Sequence, residues 1–274
     1  MKQLVFSFFC LLNVIATAQT NPLKLWYKQP ANASVPDDKN GWKDDAEWLK
    51  ALPLGNGNIG AMVFGDVNRE RIQLNEKTLW SGSNDDNDNP EAPKYLSEIR
   101  KLLFEGKFKE ATELTNKTQV CKGAGSGHGN GAKVPFGCFQ TLGDLWLDFE
   151  TKSSYYNYYR DLNLTDAIAN VNYMQDGIHF KREYFISAPA NVLIVKISAD
   201  KKGAISFTAA LTRPERFTAA AAQNELIMTG IMDNGKKGNG MEYMVRVNAK
   251  LTGGKQSTSG DKLIIKNADE VVLY

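Results

Sequence analysis

From residue 142 onward, apolar and polar residues alternate with a period of two. The segment Asp-Leu-Trp-Leu-Asp-Phe places Leu145, Leu147 and Phe149 on one side of an extended chain. Such alternation predicts a strand with one apolar face. Further strands are predicted over 170–174, 178–186, 191–198, 204–211, 225–232, 241–251, 262–266 and 270–274. Short strands at such regular intervals indicate a mainly all-β fold, either a sandwich or a barrel.

The strands predicted over 170–174 and 178–186 are separated by Gln175, Asp176 and Gly177. An Asp-Gly pair supplies the positive φ angles that a tight hairpin turn needs. The sequence therefore predicts an antiparallel hairpin at this point.

Helical spacing is confined to one stretch in the first half of the chain. Between residues 92 and 104, apolar side chains recur at i, i+3 and i+4, and Gly106 separates this run from a second one over 108–114. This pattern indicates amphipathic helices. We expect a small two-helix insertion near residues 92–118 between strands.

Gly55, Gly57 and Gly60 have the G-x-G-x-x-G spacing of a dinucleotide-binding loop. That motif works only where the glycines follow a strand and begin a helix. Here an apolar, strand-like run follows them, and Pro53 precedes them, which is a poor residue for a central strand. The glycines therefore indicate a turn that leads into a strand, not a nucleotide site.

The N-terminus has the features of a secretory signal. A lysine at position 2 is followed by a short apolar stretch and by Ala16-Thr17-Ala18, an A-x-A cleavage site. We predict cleavage after Ala18, export to the periplasm or the medium, and a mature part over residues 19–274. Two cysteines, Cys121 and Cys138, remain; they either form a disulfide that closes a glycine-rich loop or stay as separate thiols.

Overall charge and the metal-binding residue types exclude several classes of function. The chain has 33 basic and 31 acidic residues, a net charge of +2, so it lacks the basic surface expected for nucleic acid or anionic membrane. The two histidines, His128 and His179, lie far apart, and the cysteines have no C-x-x-C spacing. We expect no metal and no cofactor, and a partner without net charge.

The candidate binding residues lie at the end of a predicted strand. Ile72 and Leu74 are expected to face the core, and Asn75, Glu76 and Trp80 follow. Amide, carboxylate and indole are groups with which proteins bind sugars, through directional hydrogen bonds and a flat apolar face. The alternative is structural: Trp80 belongs to the core, Asn75 caps a turn and Glu76 forms an ion pair.

Paired acidic residues, which a glycosidase needs on both sides of a sugar, occur at 37–38, 44–45 and 85–86. All three pairs lie in polar stretches. They are more typical of solvated loops than of an active site.

Several motifs taken together resemble one enzyme family. They are Trp26-Tyr27-x-x-Pro30-Ala31, Trp48, the glycine-rich run 52–65, and the segments 72–82, 140–145 and 159–164. In this order they resemble the N-terminal domain of glycoside hydrolase family 95, from about Leu25 to the last residue. Members of that family are α-L-fucosidases, some of which act on related sugars such as L-galactose.

The resemblance implies an antiparallel, supersandwich-like β-sandwich that precedes a helical linker and an (α/α)6 barrel. In that family the barrel carries the Glu acid and the Asp base of an inverting mechanism. We therefore expect no catalytic residue on this chain, which ends in the apolar run 270–274 as if cut in mid-strand. The expected partners are the barrel and, through the full-length enzyme, a fucosylated oligosaccharide.

Two further hypotheses stay open. One is a stand-alone carbohydrate-binding module that uses Asn75, Glu76 and Trp80; the other is a purely structural surface β-protein. If the domain normally packs on a barrel, the isolated chain should expose an unusually large apolar patch.

Overall fold

A computed structural model describes residues 23–32, 47–84, 86, 88–122 and 137–274 of the chain. In chain order its strands are β1 (Lys24–Tyr27), β2 (Leu52–Gly55), β3 (Ile59–Val63), β4 (Arg69–Glu76), β5 (Gly143–Phe149), β6 (Tyr155–Asn163), β7 (Ile168–Gln175), β8 (Ile178–Ser187), β9 (Val192–Ala199), β10 (Ile205–Thr212), β11 (Thr218–Ala222), β12 (Glu225–Asp233), β13 (Asn239–Thr252), β14 (Lys255–Ser259), β15 (Lys262–Ala268) and β16 (Glu270–Leu273). All paired strands run antiparallel.

The strands form two sheets that enclose one main core. The larger sheet has nine strands in the order β1-β6-β7-β8-β9-β16-β13-β12-β11, and the smaller has seven in the order β14-β15-β10-β5-β4-β3-β2. Buried apolar side chains from both sheets form a single cluster between them. The predicted mainly all-β, antiparallel sandwich is therefore confirmed.

Alternation along the strands decides which side chains enter this core. In β10, Ile205, Phe207, Ala209 and Leu211 are buried, and the residues that alternate with them are partly exposed. Tyr184 and Ile197 contribute buried side chains from the opposite sheet. Burying one large apolar side chain stabilises a fold by about 1.5–3 kcal/mol.

Strand β5 departs from the expectation of a single apolar face. Trp146 and Asp144, on its other face, are buried as well. Trp146 packs in a second cluster with Ala31, Ala51 and Phe64. Residues close to the N-terminus thus cover this face of the smaller sheet, which a pattern read within one strand does not reveal.

The predicted hairpin is present. Gln175 pairs with Ile178 across the turn between β7 and β8, and Asp176 and Gly177 have φ angles of 52° and 73°. Positive φ at both central residues is the requirement of a type I′ turn.

The glycine motif forms a second hairpin, between β2 and β3. Gly55 pairs with Gly60, and Gly57 lies in the turn with φ +86°. Pro53 lies in β2, which is an edge strand of its sheet, the position where proline is tolerated. No atom lies within 4 Å of where a Cβ of Gly57 would be, so a side chain would not clash there. The positive φ angle is therefore the reason for glycine at this position. At Gly60 a Cβ would lie 3.4 Å from the Leu54 carbonyl oxygen, an ordinary van der Waals distance, so no close backbone approach requires a glycine there.

The helical insertion lies between β4 and β5, as predicted. A 3-10 turn over Ala92–Tyr95 leads into helix α1 (Leu96–Phe104), and helix α2 covers Phe108–Thr118, four residues longer than the predicted 108–114 run. Gly106 lies between the two helices with φ +72°. Among the described residues, neither helix is long and apolar enough to cross a bilayer.

The final strand, β16, pairs with β9 on one side and with β13 on the other. By contrast, β11 and β14, which the sequence analysis did not predict, lie at the sheet edges. Their sequences, Thr-Ala-Ala-Ala-Ala and Lys-Gln-Ser-Thr-Ser, carry no apolar alternation. Edge strands bury little, so backbone pairing with one neighbour is their main support.

Candidate functional site

The three predicted binding residues do not form one site. Asn75 and Glu76, at the end of β4, line a cavity between the two sheets. Trp80 lies on a separate concave surface. Ile72 and Leu74 are buried in the core as expected.

The cavity between the sheets has a volume of about 260 Å³ and mostly aliphatic walls. The Asn75 Oδ1 atom is buried and has no hydrogen-bond partner among the described residues, so Asn75 does not cap the turn. Glu76 Oε2 accepts hydrogen bonds from the Thr78 amide at 2.8 Å and from its hydroxyl at 2.6 Å. The Glu76 carboxylate thus stabilises the turn that follows β4. This differs from the structural alternative, in which Glu76 would form an ion pair.

Arg246 also lines this cavity, and its charge is neutralised by Glu225. Nε and Nη2 of Arg246 donate to the two carboxylate oxygens of Glu225 at 2.7 and 2.6 Å, and Asn248 Nδ2 donates to Oε1 at 2.8 Å. The hydrogen bonds from Arg246 lower the pKa of Glu225, partly offset by desolvation. This bidentate pair joins β12 to β13.

The surface that carries Trp80 is a hollow of about 450 Å³, here called the Trp80 concavity. It is lined by Trp80, Ser81, Gly82, Ser83, Asn234, Asn239, Gly240 and Met241. One wall is the segment that follows β4, and the other is formed by the connection between β12 and β13 and by the first residues of β13. The Gly82 amide donates to the Asp233 carbonyl oxygen at 2.7 Å and joins the two walls.

Trp80 is placed by a short antiparallel pairing with the segment before β5. Trp80 pairs with Phe139, and their rings meet edge to face with centroids 5.9 Å apart. The Ser81 amide donates to the Cys138 carbonyl oxygen at 3.0 Å, and the Cys138 amide donates to Ser81 Oγ at 3.0 Å. The Trp80 side chain remains 48% exposed, so it is not a core residue.

The pairing depends on Gly137, which has φ +71°. A Cβ at this position would lie 2.0 Å from the Ser81 carbonyl oxygen. Only glycine satisfies both the backbone angle and this close approach.

A third hollow, of about 760 Å³, lies across β11, β12 and β13. Phe217, Ile231 and Tyr243 line it, and the Tyr243 hydroxyl donates to the Arg216 carbonyl oxygen at 2.7 Å. Burial raises the pKa of Tyr243. Its phenol therefore acts here as a hydrogen-bond donor.

The deeply buried carboxylates lie outside these three hollows. Glu70 accepts hydrogen bonds from the Gly65 amide, from Tyr184 and from Arg182, and Asp144 is held by two hydrogen bonds from Arg71. Burial raises the pKa of both carboxyl groups, and the arginines partly offset this. Both are therefore occupied by structural partners.

Other residues singled out in the sequence have simple positions. Cys121 and Cys138 are not joined by a disulfide, and residues 123–136 between them, including His128, lie outside the described residues. His179 is exposed on β8. Within the described ranges, no three His, Cys, Asp or Glu side chains group closely enough to hold a metal ion. The acidic pairs 37–38 and 44–45 and the signal segment 1–18 also lie outside the described residues.

Ser83, Asn234, Asn239 and Met241 in the Trp80 concavity were not predicted. The one available signal was Asp233-Asn234-Gly235, a typical turn sequence. It indicates a turn but not its proximity to Trp80.

Comparison with known families gives a match over residues 25–274 to the family described as glycosyl hydrolase family 65, N-terminal domain. The chain belongs to this family. Its relatives include α-L-fucosidase 2 of Arabidopsis thaliana, 30% identical over 93% of this chain, and the probable α-fucosidase A of Aspergillus niger, 28% identical over 55% of it. The expected resemblance to the N-terminal domain of an α-L-fucosidase-type hydrolase is confirmed, although the matching family has the number 65 and not 95.

The chain spans only part of these relatives. It covers 30% of the Arabidopsis protein and 18% of the Aspergillus niger protein. Among solved structures, a putative kojibiose phosphorylase from human microbiome aligns with a TM-score of 0.42 and 8% identity, over 81% of this chain and 29% of that one.

Proposed function

We propose that this chain is the non-catalytic N-terminal domain of an exported α-L-fucosidase-type glycoside hydrolase. In this proposal the domain packs on a catalytic (α/α)6 barrel and takes part in hydrolysis of α-L-fucosides only within the full-length enzyme. The observation that carries the proposal is the match of residues 25–274 to an N-terminal domain family, combined with coverage of only 30% of the Arabidopsis α-L-fucosidase 2.

The state of the buried acids supports a non-catalytic role. Glycoside hydrolysis with inversion needs two carboxyl groups about 6.5–9.5 Å apart, with the sugar and a water between them. Glu70 and Asp144, the acids whose pKa is raised by burial, are paired with Arg182 and Arg71 and do not line the hollows described above. Their raised pKa values therefore reflect packing and not an acid-base role.

The tip of the helical insertion supports packing on another domain. Phe104 and Phe108, on either side of the turn between α1 and α2, are 92% and 66% exposed, and Leu103 beside them is 46% exposed. Adjacent large apolar side chains with this exposure are typical of surfaces that a partner covers. We assign this tip to the interface with the barrel.

Enzyme assay of the purified chain tests the proposal. Incubated with 4-nitrophenyl α-L-fucoside, the chain should release no nitrophenol above the blank, while a full-length α-L-fucosidase should release it readily. Nitrophenol release that co-purifies with the chain, and that persists after contaminating enzymes have been removed, would overturn the non-catalytic assignment.

The packing claim needs a separate measurement. The chain and a separately produced barrel of the same enzyme should associate in analytical ultracentrifugation, and Phe104→Ser together with Phe108→Ser should weaken the complex. Unchanged association of this double variant would assign the interface to another surface.

The second candidate is a stand-alone carbohydrate-binding module. The half-exposed Trp80 ring favours it, because such rings stack on sugars. A stand-alone module would bind a sugar and show no association with a catalytic barrel, which distinguishes it from the first proposal.

A further inference from the structure

We propose that the Trp80 concavity is a binding site for a neutral saccharide. The inference rests on the proposed function only for the choice of a fucosylated probe. The saccharide class itself follows from the side chains that line the hollow.

The site is built from segments that are far apart in sequence and firmly joined. The Gly82 amide bonds to the Asp233 carbonyl oxygen at 2.7 Å, and pairing with Phe139 holds Trp80 in place. On the opposite wall, Asn234 Oδ1 accepts the amides of Lys236 and Gly238 at 2.7 and 2.9 Å. Both walls are thus set by hydrogen bonds before a ligand arrives, which lowers the entropic cost of binding.

The lining combines one large aromatic face with neutral polar groups. Trp80 offers an indole that is 48% exposed, and Met241, 41% exposed, adds an apolar contact on the facing wall. Asn234 and Asn239 supply two side-chain amides. A flat apolar face beside directional donors and acceptors matches a pyranose, which has C–H groups on one face and hydroxyls at its rim.

Among the described residues, no side chain that lines the hollow carries a charge. Asp233, the residue before Asn234, is paired with Arg216 Nη2 at 2.5 Å and also accepts the Gly235 amide at 2.7 Å. An anionic ligand therefore finds no free cation in the lining, and a cationic ligand finds no free carboxylate there. This charge balance selects a neutral ligand.

Polar groups in the walls have unused hydrogen-bonding capacity. The Ser83 hydroxyl oxygen is buried without a hydrogen-bond partner among the described residues, and a buried polar group without a partner is costly. Asn239 is exposed, and its side chain makes no hydrogen bond within the described part of the chain. The exposed Asn239 amide can therefore bond a hydroxyl of a bound sugar without breaking an existing hydrogen bond.

The test is titration of the purified chain with 2′-fucosyllactose, in which binding is measured by calorimetry and by tryptophan fluorescence. Trp80→Ala should weaken binding by about tenfold or more, as expected for the loss of a central aromatic anchor. Asn239→Ala, which removes an exposed side chain without structural partners, should weaken binding several-fold and leave thermal unfolding unchanged. The fluorescence change on binding should be absent in Trp80→Phe, although Phe retains part of the affinity.

Two variants serve as matched controls. Trp26 is 53% exposed and lies elsewhere, stacked on Tyr159, so Trp26→Ala should bind as the unmodified chain does. Glu76→Gln alters the cavity between the sheets and should also leave affinity unchanged. Loss of binding in Glu76→Gln, with Trp80→Ala unaffected, would place the site in that cavity and overturn the proposal.

Several other outcomes also contradict the proposal. No saturable binding of 2′-fucosyllactose or lactose by the unmodified chain would overturn it, as would tighter binding of a sulfated fucose oligosaccharide than of its neutral counterpart. These failures are distinct from failure of the proposed function, which is tested by fucoside turnover and by association with the barrel.

Discussion

Arg182 and Glu70 form an ion pair that joins the two sheets of the sandwich, with 3.2 Å between Nη1 and Oε2 and both side chains fully buried. Arg182 comes from β8 of the larger sheet and Glu70 from β4 of the smaller one. Arg182 also donates to the carbonyl oxygens of Asp66 and Val67 at 2.7 Å each. The pair therefore fixes the connection between β3 and β4 against the opposite sheet.

Removing one member of this pair should destabilise the fold strongly. Glu70→Ala leaves the Arg182 charge buried without its counterion, and such changes cost about 3–5 kcal/mol. Urea unfolding followed by circular dichroism measures the loss. The control is Glu91→Ala, which removes an exposed ion pair with Lys94 and should cause no measurable change. If Glu70→Ala were as stable as Glu91→Ala, other groups would have to compensate the buried charge of Arg182.

Stability should depend on pH through Glu225. Hydrogen bonds from Arg246 lower its folded-state pKa below the ordinary value of 4.5. The carboxylate therefore contributes stability above that value, and the contribution is lost as the pH falls through the lowered folded-state pKa. Glu225→Gln should be less stable than the unmodified chain at neutral pH, and the difference should narrow in acid.

Urea unfolding at neutral pH and at several acidic values measures this difference. The control is Glu242→Gln, which removes an exposed carboxylate without an ion pair among the described residues and should leave the free energy of unfolding at neutral pH unchanged. A gap between Glu225→Gln and the unmodified chain that stays constant into acid would contradict the linkage.

Two glycines with similar backbone angles should respond differently to alanine. Gly57, with φ +86°, has open space around it, so Gly57→Ala should cost only the backbone penalty of about 1–2 kcal/mol. Gly137→Ala adds a clash with the Ser81 carbonyl oxygen, 2.0 Å away, and should cost clearly more. Thermal unfolding of both variants provides the comparison, and equal midpoints would show that the Trp80 segment yields to the added methyl group.

The exposed tip of the helical insertion should tolerate polar substitution. Phe104→Ser should change the free energy of unfolding of this chain by no more than about 0.5 kcal/mol, because the ring contacts solvent. Its control is Phe207→Ala in the core, where the loss should be about 3–5 kcal/mol. A large loss of stability in Phe104→Ser would mean that the ring packs within the domain.

Most strands that pack in the core could be predicted from the sequence, but β6 was missed, because its buried Arg160 and Asp161 interrupt the apolar alternation. Ile205, Phe207 and Leu211 alternate because one face of their strand is buried and the other is not. The turn at Asp176-Gly177 was equally predictable, because positive φ is a local requirement. The edge strands β11 and β14 were missed, since they bury too little to impose alternation.

The candidate site was predictable only in part. Trp80 and Asn75 are five residues apart in the chain, yet they line different hollows. Asn234 and Asn239 are distant in sequence, yet they share the hollow of Trp80. Which residues meet there depends on the order of strands in the sheets, and periodicity carries no information about that order.

The sequence by itself determined the β-sandwich class, the helical insertion and the likeness to an α-L-fucosidase N-terminal domain, because local spacing and ordered motifs encode them. Only the tertiary structure decided that β5 is covered on its second face, at Trp146, that Arg182 meets Glu70 across the core, and that Trp80 and Asn239 line one hollow. These contacts join distant segments, and their geometry is set by packing of the whole domain rather than by neighbours in the chain.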